Sequence, residues 1–137
     1  MGTDSNVIDL APNAIGEAIS PEGNGHRTCK FILLRHHGSN VLVFGDVATY
    51  RYHANLLHEY CRQRGIETSW VHKPDLLEST DPMLSVLGGG FLELTTDGRS
   101  ATFSGSSKAY GPYPWRLLES IIVTSPVFAA MKVRVES

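Results

Sequence analysis

The sequence predicts an α/β domain: a single mixed β-sheet of about six strands flanked by two helices. Three observations point there. Residues 29–44 carry two apolar runs split by a turn signal, the pattern of a hairpin. Residues 91–105 carry a second pair of runs about Asp97-Gly98. Each hairpin leads toward a helical stretch. After the first, Val47, Tyr50, Ala54, Leu57 and Cys61 recur at spacings of three and four, and after the second, Pro114 opens a segment running to Ile122.

Taken in order, the elements have local reasons. Residues 1–17 are polar, with short apolar islands at Val7-Ile8 and Leu10-Ala11, and read as a mobile N-terminal tail. Residues 18–27, broken by Pro21, Gly23 and Gly25, read as a lead-in to one domain over 18–137. Cys29 to Arg35 is a strand, Gly38-Ser39-Asn40 a turn and Val41 to Phe44 a second strand. The helix that follows has Asp46 or Thr49 as N-cap and Gly65 at C′, with Arg62 and Arg64 in its last turn. Ile66 to Val71 is a strand, and Lys73 to Pro82, polar and carrying Pro74 and Pro82, a surface loop. Phe91 to Thr96 and Arg99 to Gly105 form a hairpin about a type I′ turn, with Leu92, Leu94, Ala101 and Phe103 facing inward. A strand over Phe128 to Val135 ends the chain.

Bulk composition bounds the function. The chain has 137 residues, 42% hydrophobic and 19% charged, with a formal net charge of −2, which fits one soluble domain. No general basic field exists to hold nucleic acid, so an anion must be held by local groups. Cys29 and Cys61 sit in apolar periodic contexts and read as reduced core thiols. No apolar run approaches the ~20 residues of a membrane span, and Met1 to Asp9 lacks the form of a signal peptide. A cytoplasmic monomer without membrane contact is the expectation. His36-His37, His53 and His58 lack zinc-like spacing, so neither a metal nor another cofactor is expected.

Two separated segments carry the chemistry. Tyr50-Arg51-Tyr52-His53-Ala54-Asn55 sets a histidine near a helix start. A helix N-terminus and a nearby Lys30 both disfavour imidazolium, which suits a nucleophile or base at neutral pH. Ser106-Ser107-Lys108-Ala109-Tyr110-Gly111-Pro112 is a small-residue turn whose successive N–H groups can form an anion nest, with Lys108 adding charge. Gly88-Gly89-Gly90 lacks the Lys-Ser/Thr of a P-loop and reads as a close backbone approach at a strand start.

Four pieces in this order resemble the Janus/ocnus family, which contains the small protein-histidine phosphatases: Cys29 to Arg35, Tyr52-His53-Ala54, Gly88-Gly89-Gly90, and Ser107 to Pro112. The resemblance spans residues 18–135 and implies a mixed sheet with two helices. It implies that His53 is the catalytic histidine, that Lys30 holds the substrate phosphate, and that the amides around Ser107 and Ala109 cradle its oxygens. The substrate would be a phosphorylated protein or a small phosphoramidate, hydrolysed without metal. A non-catalytic member that binds a phosphorylated or anionic partner is the alternative. This chain departs from the family pattern in the length of the segment between the first helix and Gly88, which is longer than usual, and at two sites of charge. Phe91 follows the glycine triplet where the family enzymes carry arginine, and Val43-Phe44-Gly45-Asp46 holds no base.

Overall fold

The computed structural model describes residues 7–10, 26–95 and 97–137. Strand β1 spans Val7–Asp9, β2 His26–His36, β3 Ser39–Asp46, helix α1 His53–Gln63, β4 Thr68–His72, β5 Leu76–Ser79, β6 Leu84–Thr95, β7 Ser100–Ser104, helix α2 Trp115–Thr124 and β8 Lys132–Val135. The main sheet is six-stranded in the order β1-β3-β2-β6-β7-β8, and β4 and β5 form a separate two-stranded sheet. β1 and β8 run parallel to their neighbours β3 and β7, while β2, β3, β6 and β7 pair antiparallel. The fold is therefore α/β with a mixed sheet, as the sequence pattern predicts.

The central strand explains the architecture. Phe31, Ile32, Leu33 and Leu34 are all 0% exposed, because both faces of β2 are covered. Alternation divides them between two cores. Phe31 and Leu33 join Leu92, Phe103 and Leu118 under α2, whereas Ile32 and Leu34 join Val43, Leu57 and Cys61 under α1. Leu92, Leu94, Ala101 and Phe103 are buried, as the hairpin alternation requires. Cys29 and Cys61 are free and buried, and burial pushes their thiols up to about 12 and about 11, so neither is a ready thiolate. Among the described residues, no helix is long and apolar enough to cross a membrane.

Several local expectations need correction. Within the stretch read as a mobile tail, Val7–Asp9 is an edge strand and Leu10 is buried; the rest of 1–17, and residues 18–25, lie outside the described residues. What holds β1 is a buried guanidinium. Arg27 donates from both terminal nitrogens to the Asp9 carboxylate, at 3.0 Å each, and from Nε to Asp46 Oδ1 at 2.5 Å. That pairing also explains why Asp46 does not cap the helix. Its carboxylate is committed to Arg27, its carbonyl closes a turn with Thr49 and Tyr50, and α1 starts only at His53. Asn55 Oδ1 instead accepts the Tyr52 N–H at 3.0 Å.

The β2–β3 turn is one position earlier than expected: His37 and Gly38 have φ of 51° and 81°, as a type I′ turn requires, and Ser39 already belongs to β3. At the second hairpin, Gly98 carries a positive φ of 74°. The Gly98 N–H returns to Thr95 O, giving a wider loop than the expected I′ turn. The segment read as a surface loop contains β5, whose Leu77 is 1% exposed against the α1 core and is gripped by the Tyr110 hydroxyl on both its N–H and C=O. The last strand is shorter than expected, because Pro126–Phe128 forms a 3-10 turn before Lys132–Val135 pairs with β7.

β6 runs straight through the glycine triplet, so the triplet lies mid-strand and not at a strand start. Its ladder with β2 slips at Leu87, between the Leu33–Gly88 and Leu34–Val86 pairs. Gly88 has φ +143°, and a Cβ there would lie 2.1 Å from Pro112 O. The close approach is real, and it draws residues 111–112 onto the sheet. Gly111 O accepts N–H groups from both Gly89 and Ser107, at 3.1 Å each.

Candidate functional site

His53 is the first residue of α1 and is 7% exposed. Its Nε2–H donates to Gly90 O at 2.9 Å, so Nδ1 carries the free lone pair. The bare backbone at Gly89 permits this contact: a Cβ there would sit 3.1 Å from the His53 ring and 2.5 Å from Phe31 O. Burial lowers the pKa of His53. The bond to Gly90 O opposes that shift, and the Lys30 charge adds to it. The ring is therefore neutral at pH 7, as the helix-start argument requires, although burial is the leading cause.

Lys30 reaches the same place from β2. Its cross-strand partner on β6 is Phe91, and its Nζ lies 5.6 Å from the Phe91 ring centroid. The Phe91 ring also meets His53 edge-on at 5.6 Å. Burial lowers the Lys30 pKa.

The turn after β7 completes the enclosure. Gly111 N–H donates to Ser107 O at 2.8 Å, and Tyr110 N–H to Ser107 Oγ at 3.0 Å. Ser107 is thereby the buried knot of the turn, with its own amide bound to Gly111 O. That corrects its expected place as an amide of the cradle. The amides of Lys108 and Ala109, at the apex, donate to no acceptor among the described residues.

A cavity of about 260 Å³ joins these parts. Lys30, His53, Lys108 and Ala109 line it, together with Arg51, Tyr52, Asp75, Phe91 and Ser106. Ser107 does not line it. No protein-family model matches this chain, and no curated protein matches its sequence. The site therefore rests on its own chemistry. Among the described residues, three cationic side chains against one carboxylate, Asp75, give the cavity a positive balance. A larger groove of about 510 Å³ runs past Leu57, Leu77 and Tyr110 and has no cationic lining residue among those described, which makes it a poor match for an anion.

Arg51 is the residue that sequence reasoning missed. It stands two positions before His53 in the segment already singled out, and its readable signal was a base next to a helix start. Asp75 was missed because it falls in the stretch read as loop. His72 hydrogen-bonds to it at 3.0 Å and holds its carboxyl below the usual range.

The neutral imidazole gives a direct test. A ¹H–¹⁵N titration of the His53 ring will show a midpoint below the ordinary value of 6.5, and Lys30→Met will raise it. The sign extends to stability. Below pH 6.5 the unfolded chain takes up the His53 proton before the folded one does, so this residue's contribution to stability falls as pH drops through that range. A midpoint at or above 6.5 would contradict the burial that defines the site.

Proposed function

We propose that this protein is a metal-independent phosphohistidine phosphatase-like hydrolase, acting on a phosphorylated protein or a small phosphoramidate in the cytoplasm. The observation that carries the reading is that His53, neutral and with Nε2–H given to Gly90 O, lines one cavity with Lys30, Arg51, Lys108 and Ala109, the amides of the last two having no acceptor among the described residues. The sequence resemblance to the Janus/ocnus proteins, carried by pieces that include Lys30, His53, Lys108 and Ala109, supports it. Phosphoryl transfer needs little beyond positioning and donors on the equatorial oxygens. Lys30, Arg51 and Lys108 supply charge, and the Lys108 and Ala109 amides supply directed donors. His53 Nδ1 then acts as nucleophile on phosphorus, or takes the proton of the attacking water. In either case the P–N bond of the substrate breaks and the departing nitrogen takes a proton, from water or from His53; in the nucleophilic case water then cleaves the P–N bond of phospho-His53, releasing inorganic phosphate and restoring the imidazole.

The test joins binding to turnover. Phosphate titrated into ¹⁵N-labelled protein will shift the amides of Lys108 and Ala109, and Lys30→Ala will weaken the response. A phosphohistidine peptide will release inorganic phosphate, equally well after treatment with a chelator. Amide shifts confined to other parts of the chain, together with no release, would end this reading.

One observation favours a second reading, a non-catalytic binder of a phosphorylated or anionic partner. Phe91 occupies the wall of the cavity where the resemblance calls for arginine. Restoring the base distinguishes the two. Phe91→Arg will tighten phosphate binding, since a charge-assisted bidentate contact is about twice as strong as a neutral one. If it also raises turnover from zero, the natural chain is a binder; if turnover is present already and only affinity changes, it is an enzyme with a more apolar pocket.

A further inference from the structure

We propose that His36, His37 and Asp81 form a binding site for a divalent transition-metal ion with the coordination preferences of zinc, separate from the phosphate cavity. None of the three lines that cavity. Sequence spacing hid the set because His36 and Asp81 are 45 positions apart. The fold brings them together from the end of β2 and its turn on one side and the β5–β6 connection on the other. The turn conformation of His37 lays its ring against His36, with centroids 4.6 Å apart and planes at 30°. Asp81 arrives from the β5–β6 connection, and the His37 N–H ties the two loops by donating to Met83 O at 3.0 Å.

The carboxylate is held for the purpose. Asp81 Oδ1 accepts the Met83 N–H at 2.9 Å, and its own N–H donates to Ser79 Oγ at 3.0 Å. Oδ2 is left facing His36 Nε2 at 3.2 Å and His37 Nε2 at 3.8 Å. The three ligand atoms lie within 4.8 Å of one another. Ligand bonds of about 2.0–2.2 Å set the edges of a tetrahedral zinc site at about 3.3–3.6 Å, so two edges are near closure. The exposed His37 ring has room to swing in, and water takes the fourth position. On the far side of His36, Nδ1 lies 2.8 Å from the Tyr60 hydroxyl. An Nδ1–H donated there leaves the Nε2 lone pair aimed at the metal position, the usual outer-shell arrangement for a ligating histidine. Two imidazoles and a carboxylate favour zinc, nickel or cobalt over magnesium or calcium.

A proton is the competitor. Tyr60 O–H donating to Nδ1, with Nε2–H donating to Asp81, would satisfy the cluster without an ion. Zn²⁺ titrated calorimetrically into chelator-stripped full-length protein separates the two. Saturable one-to-one binding is expected, abolished in His36→Ala and Asp81→Asn, weakened about 10-fold in Tyr60→Phe, and unchanged in His58→Ala. Should the first two variants misfold, ¹⁵N imidazole spectra of the wild-type chain give the answer, with Zn²⁺ shifting the Nε2 signals of His36 and His37 and no other histidine. Absence of saturable binding, or binding that survives both ligand substitutions, would overturn the site. Because the readout is metal binding and not hydrolysis, failure here leaves the proposed phosphatase reading standing.

Discussion

If the proposed hydrolase reading holds, His53→Ala is expected to lower phosphohistidine turnover by about 10²-fold or more, the ordinary scale for a lost acid–base group. The size follows from what the ring alone provides. Lys30, Arg51, Lys108 and the turn amides remain in the variant, so phosphate affinity should change far less than turnover. The substitution also strands Gly90 O without its donor, at a cost of about 1–3 kcal/mol. For that reason His53→Gln, which can return a donor to that carbonyl, is the companion variant. Both should keep the wild-type circular dichroism, and both should be inactive. Wild-type turnover in either folded variant would remove His53 from the chemistry.

The second large effect is on stability. Asp46→Ala takes one of two carboxylates from a guanidinium that is 6% exposed. Breaking a buried pair costs about 3–5 kcal/mol because the remaining charge is left uncompensated. Asp9 still grips Arg27 through two hydrogen bonds, so the low end is expected: about 3 kcal/mol, or a fall in Tm of about 10 °C. Cys29 Sγ, 3.6 Å from the same oxygen, loses its partner as well. Urea unfolding measures the loss directly, and a value under about 1 kcal/mol would show that Asp9 alone suffices to hold the guanidinium. The cavity residues should be unaffected, since Arg27, Asp9 and Asp46 line no part of it.

Much of the fold was legible because its signals are local. The apolar run at 31–34, bounded by a turn signal, reads as a strand, and Leu92, Leu94, Ala101 and Phe103 alternate as one buried face must; that both faces of the first strand are covered came from the structure. Gly65, with φ +69°, ends α1 where a C′ glycine should. The failures are equally local in origin. β5 was invisible because Leu76 and Leu77 are too short an apolar signal among prolines and charges, and the burial of Leu77 depends on Leu57 and Tyr110, far away in sequence. Helix α1 begins late because Asp46, a good cap by type, is claimed by Arg27 across two strands.

The site divides along the same line. By itself the sequence determined the chemical types: a histidine at a helix start, a lysine on the central strand, and a small-residue turn bearing a second lysine. It also determined the glycine triplet, whose missing side chains admit both His53 and the turn. Only the tertiary structure decided which of these groups share a cavity. It put Arg51 and Phe91 into the wall, withdrew Ser107 into the knot of the turn, and brought Asp81 to the paired histidines. The reason is physical. Residue type and spacing set local conformation through hydrogen bonds and periodicity. Which donors stay free depends on partners drawn from the whole chain, and those partners are chosen by packing and desolvation.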